Sequence, residues 1–218
     1  MTGIILDLGR MDYGAALELQ RKLAGRRARG EVPDILILLE HDHVITLGRK
    51  TSPENFRPQH LPVFQVERGG DATYHGPGQL VGYPIILLED HDVRRHVRTI
   101  EEAIMRAVRR YGIEGERLEG HPGVWVRGKK LASVGVTVTN WVTYHGFALN
   151  VNTELSYFNL IRPCGLDSGM MTSMERLRGE KIPFEKVKEA VGIEFSSVSG
   201  QAFAPRSLES MAEPGNIK

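Results

Sequence analysis

The sequence lacks the features that mark secreted, membrane or nucleic-acid-binding proteins. Its 218 residues include one cysteine, Cys164, which excludes an internal disulfide and suits a reducing compartment. No apolar run is long enough to span a bilayer, and the first residues lack the pattern of a secretory signal. The net charge is only +1, so no overall electrostatic field attracts nucleic acid or a membrane surface. We therefore expect a cytoplasmic protein with no nucleic-acid or membrane partner.

Apolar residues are present in the proportion of an ordinary domain, 41% of the chain. Their spacing predicts two long helices, one capped by Asp12 and running to about residue 29, the other from 93 to 111. Short apolar runs typical of strands lie between and after them, and residues 123–139 predict a hairpin. This order predicts an α+β fold with a mixed, largely antiparallel sheet and helices packed on one side of it.

The chain shows no second domain boundary and no internal repeat. From about Phe195 it loses apolar periodicity and collects Ser, Pro and Gly. We therefore predict a domain over residues 1–195 and a loosely ordered C-terminal tail over residues 196–218.

The most distinctive stretch is a glycine-rich loop of twelve residues, 68–79, which holds four glycines and one proline. It reads Arg68-Gly69-Gly70-Asp71-Ala72-Thr73-Tyr74-His75-Gly76-Pro77-Gly78-Gln79. Glycines allow the backbone to approach a ligand closely, with N–H groups pointing inward. The alternative is a tight turn before the buried strand that follows.

A histidine pair around Asp42 is the one pattern that suggests a metal. The segment His41-Asp42-His43 does not match the ligand spacing of known zinc sites, and we predict no metal there.

Cys164 is the candidate nucleophile, since Pro163 and Gly165 fix and bare the backbone around its sulfur. The alternative is a small buried apolar residue. A thiol with its usual pKa of about 8.5 is mostly unreactive at neutral pH, so a nucleophile needs a nearby cation or base. Lysine is scarce, eight against twenty arginines. Alternation along the predicted strand places Lys130 inside and its neighbour Lys129 in solvent.

Composition alone leaves open which group activates the thiol. A partly buried ammonium at Lys130 would favour the thiolate and carry its proton. His75 and His145, which lie in glycine-flanked segments, would form the more usual cysteine–histidine pair.

Four segments match in order the pattern of the lipoyl(octanoyl) transferases, also called lipoate-protein ligase B. They are Leu39–Arg49, Arg68–Pro84, Gly123–Asn152 and Pro163–Met174. The sequence therefore resembles this family over most of its length. The resemblance implies the fold shared by lipoate and biotin protein ligase catalytic domains.

The resemblance also implies roles for individual residues. Cys164 would carry the acyl group as a thioester, and Lys130 would lower the pKa of its thiol. The implied substrate contacts are Arg68, Gly69, Gly70, Asp71, Ala72, Thr73, Tyr74, His75, Ser133, Val134, Gly135, Gly146, Phe147 and Ala148. No cofactor and no metal are implied.

The implied reaction is the first step of protein lipoylation. The donor would be octanoyl-acyl carrier protein, and the acceptors would be lysines of the lipoyl domains of 2-oxoacid dehydrogenase complexes and of the glycine cleavage H protein. The helix predicted over 93–111 carries six arginines, which face solvent or, alternatively, dock these acidic partners beside the active site.

Three other functions compete with this one. An ATP-dependent lipoate or biotin ligase would need an adenylate-binding loop and no nucleophilic cysteine. A non-catalytic protein that binds acyl carrier or lipoyl domains would have no use for Cys164 and Lys130. A cysteine hydrolase would have to admit water to the acyl-enzyme.

Overall fold

The computed structural model describes residues 2–52, 60–161 and 168–211. Its helices are α1 (Tyr13–Ala28), α2 (Val93–Arg109), α3 (Met174–Arg178) and α4 (Phe184–Ser199). Its strands are β1 (Gly3–Arg10), β2 (Ile35–Glu40), β3 (Val44–Leu47), β4 (Val63–Gln65), β5 (Thr73–His75), β6 (Gln79–Ile85), β7 (Glu116–Leu118), β8 (His121–Val126), β9 (Lys129–Thr139), β10 (Val142–Asn150) and β11 (Phe203–Arg206).

The main sheet has eight strands in the order β11-β1-β2-β6-β10-β9-β8-β7. Only the β11–β1 and β1–β2 pairs are parallel, and the other five are antiparallel. The predicted mixed, largely antiparallel α+β fold is therefore confirmed. The predicted hairpin over 123–139 is also present, with β8 and β9 turning at Arg127 and Gly128.

Helices cover both faces of this sheet, so the prediction of helices on one side is wrong. In β2, Leu36 and Leu38 pack into a core with α2 and α4, whereas Ile35 and Ile37 pack into a second core with α1. Successive residues of a strand point to opposite faces, so a fully apolar β2 requires cover on both sides. We call the side covered by α1 the α1 face.

Local capping signals set the starts of the two long helices, as predicted. The side chain of Asp12 accepts a hydrogen bond from Ala15 N at 2.9 Å, and that of Asp92 accepts one from Arg95 N at 2.9 Å. Within the described ranges, none of the helices combines the length and apolar character needed to cross a membrane.

The predicted loose tail is wrong for residues 196–206. Helix α4 continues to Ser199, and β11 then pairs in parallel with β1 at the edge of the main sheet. The rings of Phe195 and Phe203 pack at 5.4 Å, and this contact brings the chain back to the sheet. A four-residue edge strand is too short for its apolar pattern to be visible in the sequence. Residues 212–218 lie outside the described residues.

A small second sheet holds the glycine-rich loop. Strand β3 pairs in parallel with β4 and antiparallel with β5, which belongs to the loop. The loop is tied to the main sheet as well, since Gly69 N donates to Val136 O of β9 at 3.2 Å. The glycine-rich loop is therefore held between the two sheets.

Candidate active site

Eleven of the fourteen predicted substrate contacts line one narrow pocket of about 40 Å³ on the α1 face. The lining is Tyr13, Arg68, Gly69, Gly70, Thr73, His75, Tyr83, Ser133, Val134, Gly135, His145, Gly146, Phe147 and Ala148. Two parts of the chain that are far apart in sequence contribute them, the glycine-rich loop and the paired strands β9 and β10. The tertiary structure therefore joins them into one candidate binding site.

Pairing between β9 and β10 makes the floor of this pocket. Ser133 lies opposite Ala148 and Gly135 lies opposite Gly146, and directly opposite residues share a face of the sheet. Ala148 belongs to the core on the α1 face, which places all four residues on that side. We call these four small residues the trough, because their short side chains leave room above the sheet.

Arg68 is buried at one end of the trough and is fixed by β3. Its guanidinium donates to Thr46 O at 2.8 Å and to Thr46 Oγ1 at 2.9 Å. The backbone around it is held too, since Lys50 N donates to Gly70 O at 3.0 Å. The hydrogen bonds of Arg68 thus connect the glycine-rich loop to β3 and stabilise its conformation.

Three predicted contacts of the loop do not line the pocket: Asp71, Ala72 and Tyr74. Alternation along β5 explains Tyr74, since Thr73 and His75 face the pocket and the residue between them packs into a separate apolar core. Ala72 lies in that same core. The carboxylate of Asp71 accepts a hydrogen bond from Ala72 N at 2.7 Å and supports the loop. Direct substrate contact by these three residues thus stays a prediction that the pocket does not favour.

Sequence reasoning missed two tyrosines that line the pocket. Tyr13 begins α1 and Tyr83 lies in β6, both buried. Burial raises the pKa of Tyr13 to about 12, which keeps its hydroxyl neutral. The hydroxyl of Tyr83 lies 2.7 Å from His41 Nε2, and His41 Nδ1 lies 2.7 Å from Met11 O. Because that carbonyl can only accept, His41 donates from Nδ1 and accepts from the hydroxyl of Tyr83.

His145 lies in the pocket wall with a backbone conformation that is uncommon outside glycine, φ +56°. Its backbone N–H donates to Gln20 Oε1 at 2.9 Å, and its Nε2 lies 3.7 Å from Glu67 Oε2. Burial, with a contribution from the nearby Arg68 guanidinium, lowers the pKa of His145 to about 4. The ring is therefore neutral at physiological pH.

A β-bulge places Lys130 on the α1 face, the same face as the trough. The register of β8 and β9 runs from Gly123↔Ser133 through Val124↔Ala132 to Trp125↔Lys130. Leu131 is thus an extra residue, and its insertion reverses the alternation of the strand at that point. Lys130 consequently shares a face with Ser133, although their separation in sequence is odd.

Lys130 is only 2% exposed, whereas Lys129 is exposed, as the alternation predicted. The ammonium lies 5.3 Å from the centre of the Trp125 ring, within range of a cation–π contact. A Cβ on Gly123 would lie 2.9 Å from Lys130 Cε, so the absence of a side chain there makes room for the lysine.

The segment that follows Cys164 in sequence meets the strand at Lys130. Thr172 N donates to Lys130 O at 3.0 Å, and Lys129 Nζ donates to Gly169 O at 3.2 Å. Cys164 itself, together with Pro163 and Gly165, lies outside the described residues. Contact between Lys130 and Cys164 therefore stays a prediction.

The described ranges contain no cluster of three or more His, Cys, Asp or Glu side chains that could hold a metal. The histidines around Asp42 serve other purposes: His41 bonds to Tyr83, and His43 Nδ1 lies 2.7 Å from the hydroxyl of Tyr74.

A larger cavity, of about 670 Å³, opens between the C-terminal end of α4 and the N-terminal end of α2. None of the predicted site residues lines it. We choose the small pocket as the candidate active site although the other cavity is larger, because the small pocket is lined by both the glycine-rich loop and the trough.

Comparison with known proteins shows the family to which the chain is similar. The model of the lipoyl protein ligase A/B catalytic domain matches residues 12–196. The octanoyltransferase of Rubrobacter xylanophilus is 46% identical over 201 residues, which cover 88% of this chain and 91% of its own.

Solved structures confirm the predicted fold. Lipoate-protein ligase A bound with ATP has a TM-score of 0.79 at 19% identity, over 97% of this chain and 93% of its own. The bipartite lipoate protein ligase of Thermoplasma acidophilum, described with its E2 lipoyl domain, has a TM-score of 0.78 at 19% identity, over 97% of this chain and 91% of its own.

Proposed function

The chain belongs to the lipoyl protein ligase A/B catalytic-domain family and is an acyltransferase, and from this premise we propose that it moves an octanoyl group from octanoyl-acyl carrier protein to a lysine of lipoyl domains. The octanoyl group would pass through a thioester on Cys164. The observation that carries the proposal is the trough beside the glycine-rich loop, built from the residues that the resemblance implies, in a chain similar to octanoyltransferases over most of its length.

Lys130 is proposed to keep the thiol of Cys164 reactive. Its ammonium is almost fully buried on the trough face, where a cation favours a neighbouring thiolate far more than it would in water. The segment 169–172 lies against Lys129 and Lys130, which supports a position of Cys164 close by. In the first half-reaction the Lys130 ammonium would give its proton to the departing carrier thiolate. In the second half-reaction the neutral Lys130 amine would take a proton from the incoming amine and return it to the leaving Cys164 thiolate.

The chemistry of the two steps needs no nucleotide. Passing the acyl group from the carrier's thioester to Cys164 exchanges one thioester for another, and passing it to an amine gives the more stable amide. The proposed acceptors are the lipoyl domains of 2-oxoacid dehydrogenase complexes and the glycine cleavage H protein. The Thermoplasma ligase described with its E2 lipoyl domain supports a lipoyl-domain acceptor by analogy of fold. A cytoplasmic location and independence of any cofactor remain predictions.

Intact mass measurement tests the covalent route. Mixing the protein with octanoyl-acyl carrier protein should add the mass of one octanoyl group, removable by hydroxylamine, and Cys164→Ala should gain none. Wild-type turnover by Cys164→Ala would overturn the acyl-cysteine mechanism. Stable octanoylation without any transfer to a lipoyl domain would point to a binding protein, and release of free octanoate to a hydrolase.

An ATP-dependent ligase is the second candidate, because the chain shares its fold with lipoate-protein ligase A bound with ATP. A ligase would use free octanoate and require ATP and Mg²⁺. We expect transfer from octanoyl-acyl carrier protein to proceed fully in EDTA without nucleotide. A strict requirement for ATP with free octanoate as donor would move the protein to the ligase class.

A further inference from the structure

Two buried amide side chains, Gln79 and Asn150, face each other below the candidate pocket. They are direct register partners in β6 and β10, and each is 1% exposed. The sequence places both in segments that resemble the family, but the proposed function gives neither of them a role. They belong to a hydrogen-bonded chain that ends at His75.

Two backbone carbonyls fix the direction of this chain. Asn150 Nδ2 donates to Thr172 O at 3.0 Å, so its Oδ1 is the atom that faces Gln79. Gln79 Nε2 donates to that Oδ1 at 3.0 Å and to Tyr74 O at 3.1 Å. A carbonyl oxygen can only accept a hydrogen bond. Exchanging the oxygen and nitrogen of either side-chain amide would therefore place its oxygen against the backbone carbonyl oxygen of Thr172 or Tyr74. Gln79 Oε1 is therefore left as an acceptor.

That acceptor sets the tautomer of His75. His75 Nδ1 lies 2.8 Å from Gln79 Oε1 and must carry the hydrogen, which leaves Nε2 as an acceptor in the neutral ring. Burial lowers the pKa of His75 well below its usual value, so the ring stays neutral at physiological pH. The ring of Tyr13, stacked at 6.0 Å, holds the plane of the imidazole.

The free nitrogen of His75 has no partner in the part of the chain that the structure describes, and the residue lines the pocket. An acyl thioester has no N–H or O–H group at its reacting carbon. The incoming lysine amine does, and it must enter the pocket as a neutral nucleophile with its lone pair turned toward the thioester carbonyl.

We propose that His75 Nε2 accepts a hydrogen bond from the amine of the acceptor lysine, and that Gln79 and Asn150 are positioning residues that hold His75 as the Nδ1–H tautomer. This inference rests on the proposed function. The amine nitrogen forms the new bond to the carbonyl carbon as the carbon–sulfur bond breaks. One N–H proton passes by way of Lys130 to the sulfur, and the other stays on nitrogen, held by His75, and becomes the amide N–H. His75 neither gains nor loses a proton.

Two substitutions separate the two nitrogens of His75. In His75→Asn the side-chain amide can still donate to Gln79 Oε1, but nothing stands at the Nε2 position. In His75→Gln an amide oxygen reaches the Nε2 position. The measurement is the rate of each half-reaction: acylation of the enzyme by octanoyl-acyl carrier protein, and single-turnover transfer from the isolated acyl-enzyme to a lipoyl domain.

We expect His75→Asn to slow transfer by about ten- to a hundredfold more than acylation, the loss that one hydrogen bond at a buried site produces. His75→Gln should recover part of the transfer rate. Equal slowing of both half-reactions, or transfer at the wild-type rate, would overturn the role of His75 toward the amine. If the wild-type protein forms no acyl-enzyme at all, the proposed function itself fails.

The tautomer is tested without any reaction, by ¹⁵N NMR of histidine-labelled protein. We expect His75 to be neutral with the hydrogen on Nδ1, and we expect Gln79→Met to release it toward the other tautomer. The matched control is Gln65→Met, since Gln65 lies on β4 and, among the residues that the structure describes, donates only to Leu47 O and Gly48 O. An Nε2–H tautomer in the wild-type protein would contradict the assignment.

Discussion

At the scale of single residues, the trough depends on the absence of side chains. A Cβ on Gly146 would lie 2.2 Å from Gly82 O, and a Cβ on Gly82 would lie 2.1 Å from the ring of Phe147. β10 can therefore approach β6 this closely only because position 146 is glycine, and at position 82 the missing side chain leaves room for the Phe147 ring. The need for glycine at these positions comes from the pairing of two strands, so it cannot be recognised from a turn pattern in the neighbouring sequence.

Gly146→Ala should destabilise the fold by about 1–3 kcal/mol, because the methyl group would push β10 away from β6. Urea unfolding measures this free energy. Gly25→Ala is the control: Gly25 lies in α1 with its nearest contact at 3.6 Å, and the change should be neutral or stabilising by up to about 1 kcal/mol. Equal stability of Gly146→Ala and the wild type would show that the strands can move apart at no cost.

Lys130 and Lys129 form a natural pair for testing the activation of Cys164. Lys130→Met removes a buried cation, so the pKa of the thiol should rise by about one to three units and alkylation at neutral pH should slow accordingly. Lys129→Met removes an exposed cation and should change little. The rate of iodoacetamide alkylation as a function of pH gives both values. A profile unchanged in Lys130→Met would leave His75 or His145 as the activator.

At the scale of elements, neighbouring residues determine where a helix starts, whereas contacts between distant residues determine where the helix packs. α2 packs on the face away from the trough, with α4. Its arginines pair largely with neighbouring carboxylates, as Arg95 does with Asp90 and Arg106 with Glu102. The arginine-rich helix therefore does not lie beside the pocket, and it offers no basic surface at the pocket mouth for an acidic partner.

The two aspartate caps should each contribute measurably to stability. Asp12→Ala and Asp92→Ala remove the acceptors of Ala15 N and Arg95 N, and each should lower the free energy of unfolding by about 1 kcal/mol. Asp42→Ala is the control, because within the described part of the chain this exposed carboxylate makes one ion-pair contact, with Arg10 at 3.9 Å. Chemical denaturation of the three variants compares them. A loss in Asp42→Ala as large as in the cap variants would argue against capping as the cause.

At the scale of the whole molecule, buried histidines set an acid limit to stability. Burial lowers the pKa of His96 to about 4 and that of His145 to about 4, and it also lowers the pKa of His41 and His75. A histidine in the unfolded chain has a pKa of about 6.5. Below that pH the unfolded chain therefore binds protons that the folded chain does not bind. The stability that these neutral histidines contribute is therefore fully present above about pH 6.5, and the free energy of unfolding falls as the pH drops toward 4.

We expect urea unfolding to show this fall between about pH 7 and about pH 4, with His96 and His145 each contributing at most about 3 kcal/mol by pH 4. His96→Gln should flatten part of the slope, whatever its effect on stability at neutral pH. His60→Gln, at an exposed position, should leave the slope unchanged. A free energy of unfolding that is independent of pH over this range would refute the argument.

The sequence by itself determined the features that depend on near neighbours. Asp12 and Asp92 predict helix starts, because the capping side chain accepts a hydrogen bond from an N–H only three residues away. Alternation alone places Lys130 inside and Lys129 outside. The glycine-rich loop is visible in the composition, and the resemblance of the whole sequence to a family implies eleven of the residues that line the pocket.

Only the tertiary structure decided what depends on pairing between distant residues. The extra residue Leu131 is recognisable only against the register of β8, and it alone puts Lys130 on the face of the trough. The return of β11 to β1 and the split of the helices between two faces depend on the same kind of contact. So does the tautomer of His75, set by Gln79 and Asn150, because a hydrogen bond between residues 71 positions apart leaves no local pattern in the chain.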